Sequence, residues 1–343
     1  MLWGTAAAVP LFLFAAFVYH IAGGEGTALY EFRGETMGTT YHVRLVAALN
    51  AEQQKTIGEG IQQTLDDVDR RMSTYRPDSE LMQWNARETE EPVALSAPLC
   101  EVFRCALQVS RETSGAFDVT VAPLVEAWGF DKRVVMEPPS PSVIEQLRQC
   151  VGFDKLQLDE NACTLRKTNP KVTANLSAVA KGYAVDCVAR MLENRGIHRY
   201  MVEVGGEVRT RGENAEGVPW RIAIETPEVD KRSVFCVISL QDAAMATSGN
   251  YRNFVEFAGK RYAHILDPRT AQPIQAAPES VSVVHTSCMW ADAYATALTV
   301  LGAEEGYRFA CERQIAALFV ISEEGRFTEK ATPAFDALRR KSP

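Results

Sequence analysis

The sequence predicts an α+β fold, in which antiparallel hairpins dominate and helices lie between groups of strands. Short segments alternate polar and apolar residues and are separated by turn-forming residues, which is typical of antiparallel strands. Longer segments carry apolar residues at helical spacing. Hydrophobic residues make up 46% and charged residues 23% of the 343 positions, which is the composition of a globular protein. These proportions exclude a fibre, a wholly disordered chain and a polytopic membrane protein.

The N-terminal segment differs from the rest, because its first 24 residues contain no Asp, Glu, Lys or Arg. A helix of about 20 apolar residues spans the hydrocarbon core of a bilayer. Leu2–Ala22 is therefore predicted to direct export and to anchor the chain. A buried core helix is the alternative interpretation. We predict a signal or membrane anchor in residues 1–26 and the functional domain in residues 27–343.

The first half of that domain contains four predicted elements. Polar and apolar residues alternate in Thr40–Val46, which predicts a half-buried strand, whereas Glu52–Arg71 has the period of a helix. A second helix, Ser96–Thr113, ends at a Ser-Gly pair, and Lys155–Lys167 is predicted as a hairpin. The proline-rich stretch Glu137–Pro141 is the predicted linker or boundary between two lobes.

The second half alternates helices with strands. Ser177 stands where an N-cap belongs, so a helix is predicted over Val179–Arg195, with its end at Gly196. A further helix is predicted over Trp290–Gly302. The predicted strands and hairpins are Tyr200–Val204, Glu207–Thr210, Trp220–Ile224, Val234–Leu240, the hairpin Asn253–Ile265, Ser280–Val284, and the pair Ala316–Ile321 and Gly325–Thr328.

Charge and cysteine content narrow the function classes. A formal net charge of −8 argues against a nucleic-acid partner, because neutralising phosphates requires an excess of Lys and Arg. The eight cysteines include no C-x-x-C pair, so neither a zinc site nor a thioredoxin-type motif is indicated. Their even number permits disulfides in an oxidising compartment without showing any.

Two predicted helices carry candidate ligand-binding groups. Asp292 and Thr296 are four positions apart and point to one helix face, where a carboxylate and a hydroxyl suit a hard cation such as Mg²⁺. The alternative for Asp292 is a solvated carboxylate in a first helical turn. The start of the helix that contains Lys181 predicts a phosphate site, because free N–H groups and the ammonium both attract anions. The alternative is an ordinary amphipathic helix, in which Gly182 permits close approach of a flat ligand or another helix.

Two further segments carry weaker signals. His264 follows the second strand of a predicted hairpin, where it could act as a general base, although a lone histidine is more often structural. In the segment Val204–Glu207, two glycines separate two strands. This arrangement permits either close backbone approach to a ligand or a bulge.

Taken together, eight ordered segments from about Glu31 to Glu329 resemble the ApbE family of FAD:protein FMN transferases. They are MGTTYHV (Met37–Val43), MSTYRPDSELMQWN (Met72–Asn85), SGAFDVTVAPLVEAWGF (Ser114–Phe130), NLSAVAKGYAVD (Asn175–Asp186), VEVGGEVRTRG (Val202–Gly212), ATSGNYRN (Ala246–Asn253), HILDPRTAQP (His264–Pro273) and ADAYATAL (Ala291–Leu298). The resemblance implies two interwoven lobes of sheet and helix, similar to a T-fold, with the FAD site between them.

The resemblance also implies an activity and partners. Members of this family use Mg²⁺ to split the FAD diphosphate and pass FMN to a Thr or Ser hydroxyl of a partner protein, and AMP leaves. The implied acceptor is a flavoprotein subunit of a membrane redox complex, and the implied location is the periplasmic side of the inner membrane. Two alternatives stay open, namely hydrolysis of FAD to FMN and AMP, and storage of FAD by a non-catalytic periplasmic protein.

The resemblance implies roles for individual residues. His264 would be the base for the acceptor hydroxyl, and Asp292 the central catalytic carboxylate. The implied FAD-binding residues are Met37, Tyr75, Ala116, Phe117, Asp118, Asn175, Lys181 and Ile265. The implied metal ligands are Asp292, Thr296 and the backbone oxygens of Ala178 and Ala295. The chain departs from the family pattern at Asn175, where the family has Asp, and at Ala271, where a Gly would tolerate a positive φ.

Overall fold

The computed structural model of the chain describes residues 17–19, 26–130, 137–228, 233–249, 254–257, 260–263, 265–274, 278–323 and 326–340. The strands in these residues are β1 (Phe17–Tyr19), β2 (Ala28–Thr36), β3 (Thr39–Ala47), β4 (Val93–Ala94), β5 (Leu156–Asp159), β6 (Thr164–Lys167), β7 (Tyr200–Val204), β8 (Glu207–Arg211), β9 (Trp220–Glu225), β10 (Val234–Leu240), β11 (Ala244–Gly249), β12 (Phe254–Phe257), β13 (Lys260–Ala263), β14 (Leu266–Asp267), β15 (Gln272–Pro273), β16 (Ser280–His285), β17 (Ala316–Glu323) and β18 (Arg326–Ala331). The helices are α1 (Ala51–Met72), α2 (Glu80–Asn85), α3 (Ala97–Glu112), α4 (Ala122–Ala127), α5 (Pro141–Arg148), α6 (Ala180–Asn194), α7 (Cys288–Glu312) and α8 (Pro333–Arg340).

One antiparallel sheet organises the chain. Its nine described strands lie in the order β1-β2-β3-β7-β8-β11-β16-β17-β18, and every neighbouring pair is antiparallel. Strands from both halves of the sequence therefore share a single sheet, while the long helices lie in the connections between strands. The predicted α+β class is confirmed, and every predicted strand and helix is present, most with bounds shifted by a few residues and the last long helix continuing past its predicted end to Glu312.

The alternation of side chains along the strands builds two apolar cores on opposite faces of this sheet. Val43 and Leu45 of β3 pack into the larger core with α1, α3, α6 and α7, whereas the adjacent Val46 packs into a smaller core with β9, β10 and α8. Full burial of one such side chain stabilises the fold by about 1.5–3 kcal/mol. A shift of one residue in register would exchange the two faces, so this pattern fixes the strand pairing.

Helices α6 and α7 each supply a carboxylate that accepts hydrogen bonds at the start of the other helix. Asp186 of α6 accepts hydrogen bonds from Ser287 Oγ at 2.6 Å and Cys288 N at 3.0 Å, which caps the start of α7. In the opposite direction, Asp292 Oδ2 of α7 accepts a hydrogen bond of 3.0 Å from Gly182 N in the first turn of α6. Carboxylates at helix N-termini satisfy donors that lack an intrahelical partner. The two helix starts are thereby brought together at one place.

Two predicted helix limits are corrected. Ser177 is not the N-cap of α6, since that position belongs to Val179, which makes no side-chain cap. The reason is that Asn175 Oδ1 accepts from Ser177 N at 2.9 Å and forms a separate turn ahead of the helix. The predicted end of the last long helix at Gly302 is a break instead, because φ there is 80° and the helix resumes to Glu312.

The N-terminal region and the predicted lobe boundary are described only in part. Of residues 1–26, the structure describes Phe17–Tyr19, which pairs with β2, and Gly26. No helix within the described ranges is long and apolar enough to cross a membrane. The proline-rich stretch leads into α5, which packs with α4 and with Leu266 in a third, small apolar core. The division of the chain at residues 26 and 137–141 stays a prediction.

One disulfide ties the helical layer to a hairpin. Cys100 in α3 is bonded to Cys163, just before β6, with the two Cα atoms 5.7 Å apart. The other six cysteines are free thiols. The even cysteine count permitted this pairing but did not indicate which residues take part.

Candidate functional site

A cleft of about 830 Å³ lies beside the paired starts of α6 and α7. Strands β8, β9 and β11 supply one wall, and the loops around residues 116–119 and 175–178 supply another. Asp292 and Thr296 of α7 and Lys181 of α6 also line it. A volume of this size is within the range of clefts that hold small ligands or cofactors, which is roughly 300–1,000 Å³.

Three charged groups meet inside the cleft. Lys181 Nζ is 2.8 Å from Glu207 Oε1 and 3.9 Å from Asp292 Oδ1. Glu207 is only 2% exposed and Asp292 only 5%, so the interpretation of Asp292 as a solvated carboxylate is wrong. Burial lowers the pKa of Lys181, but the charges of Asp292 and Glu207 outweigh it and the net direction is upward. Burial raises the pKa of Glu207, although Lys181 opposes the rise.

The turn between β7 and β8 positions Glu207. Gly205 and Gly206 have φ values of 60° and 103°, and Val204 pairs with Glu207 across them. They therefore form a two-residue hairpin turn and not a bulge. A methyl group on Gly205 would lie 2.9 Å from Thr39 Cγ2 and 3.2 Å from Lys181 Cδ. The glycine thus lets the lysine side chain pass close to the turn and reach Glu207.

Helix α6 reaches the cleft because Gly182 permits contact with α7. A Cβ on Gly182 would lie 2.4 Å from Cys288 O, so of the two suggested roles of this glycine, close approach of another helix is the one observed. The same contact occupies Gly182 N–H with Asp292. The helix start predicted to bind phosphate is therefore not entirely free, and its remaining attraction for an anion comes mainly from Lys181.

The cleft brings together most of the residues implied by the resemblance. Those that line it are Ala116, Phe117, Asp118, Asn175, Ala178, Lys181, Ile265, Asp292 and Thr296. Tyr75 is 83% exposed and does not line it. Met37 lies in the β2–β3 turn just before Thr39 and Thr40, which line the cleft, whereas Ala295 is buried and does not line it. His264 lies outside the described residues. The roles assigned to these residues stay predictions.

Asp118 fixes the loop that forms one side of the cleft. Its Oδ1 accepts hydrogen bonds from Thr120 N and Thr120 Oγ1 at 2.8 and 2.7 Å, and its Oδ2 accepts from Phe153 N at 2.8 Å. Burial raises the pKa of this carboxyl, while the three hydrogen bonds oppose the rise. Asp118 therefore connects the loop to residues 152–153, and this connection holds Asp118 among the residues that line the cleft.

The turn Asp267–Ala271 follows Ile265, and its Pro268 lines the cleft. Ala271 has a φ of 59°, so the backbone conformation that would favour glycine is present here. A left-handed conformation costs an L-residue about 1–2 kcal/mol. Several hydrogen bonds hold the turn, among them those from Ala271 N to Asp267 O at 2.8 Å and from Trp128 Nε1 to Ala271 O at 3.2 Å.

The oxygen atoms around Asp292 suit a hard cation. Asp292 lines the cleft, where its Oδ2 accepts from Gly182 N and its Oδ1 lies 3.9 Å from Lys181 Nζ, and Thr296 follows one turn later on the same face. A site of this kind needs only one or two carboxylates when substrate oxygens and water complete the coordination of Mg²⁺. Within the residues that the structure describes, no cluster of three or more His, Cys, Asp or Glu side chains could hold a metal.

Sequence reasoning missed two polar groups of the cleft. Glu207 Oε2 and Ser280 Oγ are both buried and have no hydrogen-bond partner among the described residues. Buried polar atoms normally have partners, so these two atoms are suited to contact a ligand. The Gly-Gly-Glu sequence was a usable signal for Glu207, whereas Ser280 begins a buried strand and carries no signal of its own.

The fold and the cleft define an α+β protein whose site can hold a cation beside an anionic ligand. Carboxylate and hydroxyl oxygens are suited to bind the cation, and the ammonium group of Lys181 is suited to bind the anion. Residues 37–319 match the ApbE family. The chain belongs to this family, as the eight segments indicated.

Relatives with closely similar sequences and structures are known. The FAD:protein FMN transferases of Vibrio cholerae serotype O1 and Haemophilus influenzae are 43% and 41% identical over 317 and 320 residues, which cover 92% and 91% of this chain and 94% and 92% of theirs. The structure of the flavin transferase ApbE from Vibrio cholerae has a TM-score of 0.83 at 41% identity and covers 91% of this chain and 99% of that chain. The apo form of the flavinyl transferase ApbE from Pseudomonas stutzeri has a TM-score of 0.82 at 32% identity, with 98% and 100% covered.

Proposed function

We propose that this protein transfers FMN from FAD to a Thr or Ser hydroxyl of a partner protein, with Mg²⁺ as cofactor and AMP as the second product. The observation that carries the proposal is the meeting of Asp292, Thr296 and Lys181 in one cleft, in a chain of the ApbE family. An acceptor subunit of a membrane redox complex is the proposed partner.

The reaction forms one bond and breaks one. The acceptor hydroxyl oxygen bonds to the phosphorus of the FMN half, and the bond between that phosphorus and the bridging oxygen of AMP breaks. The hydroxyl proton passes to a base, for which we propose His264, since an imidazole with a pKa of about 6.5 can accept it at neutral pH. Lys181, protonated between two carboxylates, offers its charge to the diphosphate.

Asp292, Thr296 and the backbone oxygen of Ala178 would hold the Mg²⁺. When bound, the ion neutralises phosphate charge, and phosphoryl transfer depends mostly on such neutralisation and on positioning. The protein contributes a rigid frame for both, because Asp292 is fixed by Gly182 N–H and α6 is packed directly on α7. Phe117, which is buried at the edge of the cleft, offers apolar surface to the rest of the substrate.

One experiment tests the proposal against its two alternatives. The protein is incubated with FAD, Mg²⁺ and candidate acceptor domains, and the acceptor is then weighed by intact-protein mass spectrometry. A mass gain of one FMN on the acceptor supports transfer. Free FMN and AMP without a modified acceptor would indicate hydrolysis, and unchanged FAD would indicate storage.

A His264→Ala variant is expected to bind FAD and metal as the parent does but to transfer FMN more slowly by about 10²- to 10⁴-fold, which is typical for loss of a positioned base. Single-turnover transfer kinetics measure the effect. His198→Ala is the matched control, because His198 is exposed and does not line the cleft, and its rate should be that of the parent. Transfer by His264→Ala at the parent rate would remove His264 from the mechanism.

We propose further that the domain works outside the cytoplasm, on the periplasmic side of the inner membrane, and is anchored by its N-terminal segment. The uncharged residues 1–24 support export. The Cys100–Cys163 disulfide supports it independently, because disulfides persist mainly in oxidising compartments.

Deletion of residues 1–26 is expected to yield a soluble, folded protein that still binds FAD. The reason is that the uncharged residues 1–24 are predicted to direct export, while the match to the family begins at residue 37. Gel filtration, circular dichroism and quenching of flavin fluorescence measure the outcome. An insoluble or unfolded product would place the N-terminal segment in the core of the protein.

A further inference from the structure

Lys181 lies between two carboxylates but contacts them unequally. Its Nζ is 2.8 Å from Glu207 Oε1, which is the distance of a hydrogen-bonded ion pair. Its distance to Asp292 Oδ1 is 3.9 Å, which is too long for a hydrogen bond. The ammonium group is therefore held by Glu207, and Asp292 is left without a direct hydrogen bond from the lysine.

The position of Glu207 in the fold allows it to hold the ammonium group of Lys181. It is the first residue after the rigid Gly-Gly turn and begins β8, so its backbone is fixed by the sheet. Its side chain is 3% exposed, so it cannot turn towards solvent. A buried carboxylate needs a counter-charge, and Lys181 is the cation paired with it among the described residues.

We propose that Glu207 is a positioning residue that holds Lys181 away from Asp292 and so keeps the Asp292 carboxylate available for the divalent cation. The inference rests on the proposed function. Two acidic side chains therefore face a single lysine at this point of the cleft. An excess of acidic groups favours the cation and disfavours a bare diphosphate, so the metal must bind for the anion to bind well.

Replacement of Glu207 should change metal and FAD binding in opposite directions. Glu207→Gln keeps the size of the side chain and removes the charge, so Lys181 moves to Asp292 and competes with the metal. Mn²⁺, used as a paramagnetic probe and measured by electron paramagnetic resonance without FAD, is expected to bind roughly 10- to 100-fold more weakly. FAD in the presence of EDTA, measured by flavin fluorescence, is expected to bind as tightly as in the parent or more tightly. General damage to the cleft would weaken the binding of both Mn²⁺ and FAD.

Glu213→Gln is the matched control. Glu213 follows β8 and loses the same acidic group, but it is exposed and does not line the cleft. Both affinities should stay within about twofold of the parent values. In a Lys181→Met background, Glu207→Gln should weaken Mn²⁺ binding by a smaller factor than it does in the parent, because no ammonium remains to be redirected.

The outcomes separate this inference from the proposed function. If the parent binds Mn²⁺ and transfers FMN, and Glu207→Gln binds Mn²⁺ equally well, the positioning role is wrong and the proposed function stands. If the parent neither binds Mn²⁺ nor transfers FMN, both fall. Should Glu207→Gln fail to fold, Glu207→Asp tests the same role, since it keeps the acidic group but shortens the side chain that holds Lys181, and it should bind Mn²⁺ more weakly than the parent. Equal or tighter binding would overturn the inference.

Discussion

An Asp292→Asn variant is expected to fold like the parent and to transfer FMN at a rate near zero at ordinary Mg²⁺ concentrations. The asparagine oxygen can still accept from Gly182 N, a contact of 3.0 Å in the parent, so the packing of α6 on α7 survives. The amide group then replaces Oδ1, which lies 3.9 Å from Lys181 Nζ. A neutral hydrogen-bond donor in that position cannot bind a cation.

The expected loss of metal affinity is larger than the roughly 10- to 100-fold loss that is typical for residues which only support a ligand. Thermal unfolding followed by circular dichroism tests the fold, and transfer is measured by acceptor mass over a range of Mg²⁺ concentrations. Excess Mg²⁺ should restore part of the activity. Thr296→Val is the comparison variant, and it should do less damage because a hydroxyl contributes no net charge. Transfer by Asp292→Asn at the parent rate in low Mg²⁺ would place the metal site elsewhere.

The strands and helices that were predicted from the sequence are those whose signal is local. β3 faces a different environment on each side, so its residues alternate, and α1 shows its buried stripe at helical spacing. β2 was missed because five consecutive residues, Ala28–Phe32, are all buried, which leaves no alternation to detect. The six-residue helix α2 is too short for a period to be apparent. β11 was missed because its small residues and Ser-Gly end are typical of turns.

The predicted cleft residues came from motifs, while the contacts between them did not. Asp186 caps a helix that begins 102 positions later, and Asp292 accepts from a residue 110 positions earlier. No local pattern reports such pairings. The same limit explains Glu207, whose partner Lys181 lies on another element. Residue types at motif positions therefore indicated which chemistry is present, but only the packing of α6, α7 and β8 defines which groups neutralise each other.

A Gly182→Ala variant is expected to lower the free energy of unfolding by about 1.5–5 kcal/mol, although the same change in an isolated helix would stabilise it by about 1 kcal/mol. The new Cβ would lie 2.4 Å from Cys288 O and 2.8 Å from Asp292 Cβ, so α7 must move away. Overpacking of this kind costs about 1–3 kcal/mol. Loss of the hydrogen bond from Gly182 N to the Asp292 carboxylate costs about 1.5–3 kcal/mol more. Urea unfolding measures the change.

Gly60→Ala is the matched control, since Gly60 is in the middle of α1 and an added Cβ would meet only the end of the Arg195 side chain, which can rotate away. That variant should gain up to about 1 kcal/mol from helix propensity and keep its activity. If the Gly-to-Ala substitution lowers the free energy of unfolding in α6 and raises it in α1, the contact between α6 and α7 is rigid. Mg²⁺ affinity should fall in Gly182→Ala alone, because the shift of α7 carries Asp292 and Thr296 away from Ala178. Equal stability of the two variants would mean that the helix starts can separate freely, and the cation site could then not depend on their contact.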